Sequence, residues 1–141
     1  MKSINLRTCL LLALLAAATL SACSKPPAAA VTPATEETVI RTRYGQMMTA
    51  VCRDAFADAI AVVDPDTQAN EGKAKLIYGA GRLLVGLAQL KPEDFRVDRV
   101  ELGEHGTNAQ VYASVFRDAK WNPEPNAGQW VRLTNVWYAK Y

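Results

Sequence analysis

The stretch QWVRLTNVWYAK, residues 129–140, decides the fold class, because its side chains alternate with a period of two. In one continuous strand this alternation places Trp130 on one face and Trp137 on the other. Aromatic and β-branched residues, which strands favour, occupy many of its positions. The stretch therefore predicts the last strand of a sheet with one covered face.

Two more strands are predicted upstream of this stretch. Residues 95–102 and 109–117 carry apolar side chains at alternate positions, and residues 103–107 between them read as a turn. A long loop, AKWNPEPNAG at residues 119–128, separates the second strand from the last. The three strands predict an antiparallel meander. Its apolar positions upstream of the loop are Phe95, Val97, Val100, Leu102, Val111, Ala113 and Val115.

Further upstream the apolar spacing changes to three and four, which indicates helices over residues 37–63 and 70–90. The sequence Asp64-Pro65-Asp66 ends the first helix, and Pro92 ends the second. In the second helix Gly79, Gly81 and Gly86 each cost about 1 kcal/mol relative to alanine, which suggests close packing against another backbone or a break near Gly79. The predicted fold is α+β, with two N-terminal helices packed on a three-stranded antiparallel meander.

The N-terminus has the layout of a secretory signal. Lys2 and Arg7 precede an apolar run at residues 9–20, and small residues follow. The run is too short to span a bilayer as a mature helix. Residues 24–36, SKPPAAAVTPATE, have the composition of an extended spacer. We therefore expect a signal peptide at residues 1–22, a tether at residues 23–36 and a single α+β domain at residues 37–141.

The motif Leu20-Ser21-Ala22-Cys23 closes the signal. It resembles the lipobox of bacterial lipoproteins, Leu-(Ala/Ser)-(Gly/Ala)-Cys, at every position. This resemblance implies a lipoprotein precursor that is cleaved before Cys23, with diacylglycerol on the thiol and a fatty acid such as palmitate on the new amine. Ser24 resembles the residue that directs such proteins to the outer membrane, so we expect a lipid-anchored protein of the bacterial cell envelope, facing the periplasm.

The element order also carries a resemblance. Two helices followed by three strands, over residues 37–141, resemble small exported lipoproteins of nuclear-transport-factor-2-like (NTF2-like) or cystatin-like shape. In those proteins helices pack into a curved sheet. The resemblance implies a fold and no particular activity.

Charge and cysteine content exclude several classes of protein. The chain has 16 basic and 14 acidic residues, and two of the basic ones, Lys2 and Arg7, lie in the signal. The remaining chain is near neutral, so nucleic acid is not an expected partner. Of three cysteines, Cys9 leaves with the signal and Cys23 carries lipid, so Cys52 has no partner for a disulfide.

Two side chains could carry chemistry. His105, the only histidine, is either a general base or metal ligand, or a solvated turn residue. Cys52 is either a reactive thiol or a small buried apolar side chain. One histidine without nearby cysteines does not make a zinc site. We therefore expect no cofactor, no metal and no enzymatic activity.

Acidic pairs are the other candidates for chemistry. Asp54 and Asp58 lie one helical turn apart, and Asp64 and Asp66 flank Pro65. Such pairs can do acid–base work or hold Ca²⁺, but the order of residues does not match a calcium-binding loop. A solvated helix face and a turn explain them as well.

The loop at residues 119–128 is the predicted binding feature. Its candidate residues are Trp121, Asn122, Pro123, Glu124 and Pro125. A stiff loop with an exposed aromatic side chain suits partner recognition, because little entropy is lost on binding. The alternative is that Trp121 folds back onto the core.

The sequence thus predicts a lipid-anchored envelope protein that binds or assists a protein partner, of the inhibitor, immunity, exclusion or assembly-factor type. Its expected contacts are the membrane, through the N-terminal lipid, and an envelope protein. The alternative is a small-ligand-binding or enzymatic domain that uses a pocket between helices and sheet.

Overall fold

The structure, a computed structural model, describes residues 33–141. The predicted signal peptide, lipobox and Cys23 lie outside the described residues. Helices come first and strands follow, with one turn of 3-10 helix at Pro92–Asp94 between them. The helices are α1 (Pro33–Cys52), α2 (Phe56–Ile60), α3 (Pro65–Ala69) and α4 (Glu71–Ala88). The strands are β1 (Phe95–Leu102), β2 (Asn108–Arg117), β3 (Lys120–Pro123), β4 (Gly128–Leu133) and β5 (Val136–Lys140).

The predicted α+β class is confirmed, but the prediction of two helices is wrong. The first predicted helix is interrupted after Cys52, where Asp54 takes a left-handed backbone conformation with φ of 58°. Aspartate tolerates this conformation better than most residues do. Within the described residues α1 already includes Pro33, four residues before the predicted start at residue 37.

Short polar side chains begin α3 and α4. The Asp64 carboxylate accepts a hydrogen bond from the Thr67 backbone N–H at 3.0 Å, and Pro65 occupies the first turn of α3. The Asn70 side chain accepts from the Lys73 backbone N–H at 3.0 Å in the same way. Both are N-caps that satisfy otherwise unpaired backbone donors. The segment Asp64-Pro65-Asp66 therefore begins a new helix as well as ending the previous one.

The predicted three-stranded meander is also wrong, since the described sheet has five strands in the order β1-β2-β4-β5, with β3 also paired to β2. β2 pairs with β1 along most of its length. On its other edge, residues 108–111 of β2 pair with β4, and residues 114–117 pair with β3. The long central strand thus has two short strands end to end beside it.

Two tight turns account for the extra strands. Asp118 and Ala119 both have positive φ, at 55° and 59°, and so do Thr134 and Asn135, at 49° and 64°. Two consecutive residues of this kind are what a type I′ hairpin turn requires. The first turn makes β3 out of the predicted loop, and the second divides the predicted last strand into β4 and β5.

The second turn also decides which side chains are buried. In the β4–β5 hairpin, Trp130 lies opposite Ala139 and Arg132 lies opposite Trp137. Cross-strand partners share a face, so both tryptophans point into the core. They are 3% and 1% exposed. One continuous strand would have placed them on opposite faces.

The helices cover this face of the sheet. α1 contributes Ile40, Tyr44 and Met47 to a cluster that contains both tryptophans. A second cluster joins the end of α1 to α4 and the residues that follow α4 through Val51, Val85 and Leu90, among others. Within residues 33–141, none of the helices has the length and apolar character needed to cross a membrane.

Candidate functional site

A cavity of about 410 Å³ lies between the helices and the covered face of the sheet. This volume falls within the range of about 300 to 1,000 Å³ that small-molecule sites occupy. Most of its wall is apolar and comes from α1, α2, α4, β2 and β4. Its apolar side chains include Met47, Val51, Ile60, Ile77, Leu84, Val111 and Trp130.

Three ionisable side chains of the cavity wall influence one another: Tyr44 from α1, Glu124 after β3 and Tyr141 at the C-terminus. Tyr44 is 7% exposed, and its hydroxyl has no hydrogen-bond partner among residues 33–141. Burial raises the pKa of this hydroxyl strongly, and the nearby Glu124 charge adds to the effect. A buried, unpartnered hydroxyl of this kind costs about 1–3 kcal/mol, which a bonding partner would recover.

Glu124 is held at the cavity by its own backbone. Its N–H donates to the Ala113 carbonyl at 2.9 Å and so extends the pairing of β3 with β2. The side chain keeps access to water, yet protein atoms crowd its carboxyl group, and this burial raises its pKa. An environment that disfavours the negative charge of Glu124 also disfavours a second anion beside it.

Tyr141 closes the same end of the cavity. Although the residue is 52% exposed, its hydroxyl turns inward and donates to the Met47 sulfur at 4.0 Å. Burial raises the pKa of this hydroxyl, and Glu124 raises it further. The Tyr141 backbone carbonyl accepts a hydrogen bond from the Lys73 ammonium group at 2.5 Å. The chain terminus is therefore fixed to the start of α4.

The wall between α1 and α4 is held by a polar contact at the helix break. The Tyr78 hydroxyl donates to the Asp54 carboxylate at 2.7 Å, and Arg82 pairs with the same oxygen at 3.2 Å. Burial raises the pKa of Tyr78 to about 12, and the hydrogen bond to Asp54 acts in the same direction. Arg82 also donates to the Val51 carbonyl at 2.8 Å. These contacts position Val51 and Tyr78 on the cavity wall.

The structure divides the five predicted binding residues between two places. Glu124 lies on the wall of the main cavity, and residues 122–125 border a smaller adjoining cavity of about 160 Å³. The smaller cavity is closed on its other sides by Leu84, Leu90 and Val115, among others. Asn122, Pro123, Glu124 and Pro125 are therefore brought together beside a concave surface.

Trp121 lies apart from these four residues. It is half-buried on β3, with its ring centroid 5.3 Å from that of Phe116 and the Arg96 guanidinium 4.2 Å above its ring. It belongs to neither of the buried clusters described above. The position thus fits neither a freely projecting loop residue nor a deeply buried lid.

The other sequence candidates are scattered. His105 is exposed in the turn between β1 and β2, and Cys52 is half-buried at the end of α1. Asp54 is used in the contact with Tyr78, whereas Asp64 caps α3. Among the described residues, the acidic, histidine and cysteine side chains form no cluster of three or more that could hold a metal ion.

Tyr44 and Tyr141 are site residues that the sequence pattern does not predict. Tyr44 has the spacing of the apolar face of the first predicted helix, and a tyrosine at helical spacing usually indicates core. The terminal Tyr141 lies beyond the last predicted strand, so no pattern pointed to it. Their proximity to Glu124 depends on the pairing of β3 and β5 with other strands.

Comparison with known proteins gives one distant structural match and no sequence relative. No protein-family model and no curated protein sequence matches the chain. A crystal structure from Campylobacter jejuni, described as that of a candidate NTF2-like transpeptidase, matches with a TM-score of 0.49 and 8% identity. The match covers 74% of this chain and 96% of that one. Identity this low says nothing about a shared activity.

Proposed function

We propose that the described domain is a non-catalytic binding protein of the bacterial cell envelope, tethered to a membrane by lipid on Cys23. Its ligand is a small, mainly apolar molecule with one hydrogen-bonding end group, held in the 410 Å³ cavity. The observation that carries the proposal is the cavity itself, a mainly apolar space with a few polar groups at one end. That combination is typical of small-molecule sites.

The polar end of the cavity supports a particular kind of ligand. Burial raises the pKa of Glu124, Tyr44 and Tyr141, and the Glu124 charge raises the pKa of both tyrosines further, so a carboxylate end group would add charge repulsion. A neutral alcohol or amide, or a cationic amine, would instead meet a hydrogen-bond acceptor. The ligand class that fits is therefore an alkyl or aryl chain that ends in a non-anionic polar group.

Binding can be measured with 1-decanol as a probe of this class, through the fluorescence of Trp130 on the cavity wall. We expect a saturable change in the full chain. Val111→Phe should abolish this change without lowering the melting temperature, because Val111 is 2% exposed and borders the cavity that the larger ring would fill. Val39→Phe, at an exposed position of α1, is the matched control and should bind normally.

The absence of a saturable response to 1-decanol in the unchanged protein would argue against the cavity as a ligand site. A response that survives in the Val111→Phe variant would argue that the alcohol binds elsewhere. Decane, which lacks the hydroxyl, should bind more weakly than 1-decanol if the polar end takes part.

The anchor is tested separately. Cys23→Ser should leave an unprocessed or soluble exported form that no longer takes up labelled palmitate, because serine cannot provide the thiolate. Label retained by this variant would contradict the lipobox assignment. Loss of membrane attachment would not affect 1-decanol binding, so the two parts of the proposal can fail independently.

Binding of an envelope protein remains a second candidate function. The observation that favours it is the partly exposed aromatic pair of Phe116, 38% exposed, and Trp121, with Arg96 above the tryptophan ring. Aromatic and arginine side chains dominate protein interfaces energetically. Capture of a partner from solubilised envelopes should be lost in a Phe116→Ser variant and retained in a Leu133→Ser variant.

A further inference from the structure

Helix α4 presents an apolar ridge to solvent. Leu76, Leu83 and Leu87 are 74%, 62% and 78% exposed, although the opposite side of the same helix packs on the domain through Ala74 and Val85. Exposed leucines at spacings of seven and four residues lie on one side of a helix. An aligned set of this kind indicates a surface that another molecule covers.

The glycines of α4 lie along the same ridge. Gly72, Gly79 and Gly86 are seven residues apart, and they alternate with Leu76 and Leu83. A Cβ atom at Gly79 or Gly86 would meet nothing within 4 Å in the described part of the chain. Gly81, on the inner side, would place its Cβ 3.5 Å from Val51 Cγ1. Packing within the domain therefore explains why residue 81 is a glycine, but it does not explain the glycines at positions 79 and 86.

This ridge is complementary to itself. If a second α4 lies antiparallel with its two-fold axis at Gly81, Leu76 faces Gly86 of the second copy and Leu83 faces Gly79 of the second copy. Leu76 and Leu83 then each sit over a position that has no side chain, whereas Leu87 lies opposite Lys75, at the edge of the contact. Close approach of two helices needs small residues at the contact, and a seven-residue repeat keeps the contact continuous along both helices.

The charges around the ridge agree with this register. Between Leu76 and Leu90 the only charged residue is Arg82, and it turns inward to the Val51 carbonyl and the Asp54 carboxylate. The ridge from Leu76 to Leu87 therefore presents no charge of its own, so two copies can approach without charge repulsion, and opposed helix dipoles favour the antiparallel arrangement.

We propose that the outer face of α4 binds a second copy of this chain as an antiparallel helix pair, with leucines over glycines in the register just given. A lipid surface fits the ridge less well, because the glycines between the leucines reduce the apolar side-chain area that a membrane-bound helix buries. One helix from each copy makes a small interface, so the dimer is weak and reversible, with a Kd of about 10 μM or higher.

The oligomeric state of the full chain in a mild detergent, with micelles in excess over protein, tests the proposal by sedimentation velocity. We expect the fraction of dimer to rise with protein concentration up to about 0.5 mM. Leu83→Glu should raise the dissociation constant at least tenfold, and Leu133→Glu, at a leucine 41% exposed on β4, should leave it unchanged. A monomer throughout this range would overturn the proposal.

Gly79→Leu separates self-association from folding. Leucine is the better helix former, so this variant should keep its helical circular dichroism and melt no lower than the original. Its side chain would occupy the position over which Leu83 of the second copy sits, and the dimer should be lost. A Gly79→Leu variant that still dimerises would contradict the register.

Cross-linking tests the register directly. In a background where Cys52 is replaced by alanine, chains carrying Gly79→Cys and chains carrying Leu83→Cys are oxidised with copper phenanthroline, alone and mixed. We expect a disulfide-linked dimer, joined through position 79 of one chain and position 83 of the other, mainly in the mixture. Equal cross-linking of each variant alone would contradict the antiparallel pairing. A chain that stays monomeric and binds phosphatidylglycerol vesicles through Leu83 would contradict a second copy as the partner of this face.

Discussion

The indole N–H of Trp137 on β5 donates a hydrogen bond to the carboxylate of Glu36, in the first part of α1 and 101 positions earlier in the chain. The Arg132 guanidinium pairs with the other oxygen of this carboxylate at 2.7 Å. Glu36 is 8% exposed, so its charge is satisfied almost entirely by these two side chains. The start of the first helix is therefore fixed to the last hairpin by a buried polar network.

Replacing Glu36 by alanine should destabilise the protein by about 3 kcal/mol, because the buried Trp137 indole and the partly buried Arg132 guanidinium would both lose their partner. Urea unfolding measures the change. Glu37→Ala is the matched control: Glu37 pairs with Arg41 at 2.6 Å on the exposed side of α1. The control should lose less than about 1 kcal/mol. Equal losses in the two variants would show that the buried network contributes little.

Trp121→Ala should lower the free energy of unfolding by about 1–2 kcal/mol, since it removes one aromatic pair and one cation–π contact from a half-buried surface. Trp137→Ala, at a residue that is 1% exposed, should cost about 3–5 kcal/mol. Thermal melting compares the two. A loss at Trp121 as large as that at Trp137 would identify it as a core residue and would weaken the proposed protein-binding role.

Glu124 should make the stability of the protein depend on pH. Burial raises the pKa of its carboxyl in the folded state above the ordinary value of 4.5, so the folded chain holds the proton more tightly than the unfolded chain does. Its contribution to stability is present in full below pH 4.5 and is lost as the pH rises through the raised folded-state pKa. Glu124→Gln should therefore gain stability relative to the original as the pH rises.

Urea unfolding at several pH values from about 4 to about 7 measures this difference. Glu104→Gln, in the exposed turn between β1 and β2, is the control and should show no such trend. The gain at Glu124 should be small, because its side chain keeps access to water. A Glu124 variant whose relative stability falls with rising pH would contradict the sign of the pKa shift.

Cys52 should react slowly with a maleimide in the native protein and quickly in urea. It is half-buried against the cluster that joins α1 to α4, and burial raises the pKa of its thiol, although Arg82 acts in the opposite direction. A raised pKa lowers the fraction of reactive thiolate. Cys52→Ala should cost about 1 kcal/mol. Rapid labelling of the native protein would point to a reactive thiol.

The sequence by itself determined the α+β class, the helical character of residues 37–52 and 71–88, and the bounds of β1. In those segments the apolar side chains recur with a period of 3.6 or two residues over many positions. Contacts with the rest of the fold do not override that pattern. The lipobox stays a prediction from sequence, which depends on residue types at fixed spacing and not on the fold.

Only the tertiary structure decided the break at Asp54, the presence of β3, the turn that separates β4 from β5, and the cavity. Neither hairpin turn, Asp118-Ala119 or Thr134-Asn135, contains the glycine that usually indicates a hairpin in a sequence. These residues have positive φ because the pairing of the flanking strands requires it, although their own conformational preference does not favour it. The Thr134-Asn135 turn brings Trp130 and Trp137 to one face. Tyr44, Glu124 and Tyr141 meet only because that face is covered by α1, which local sequence patterns cannot specify.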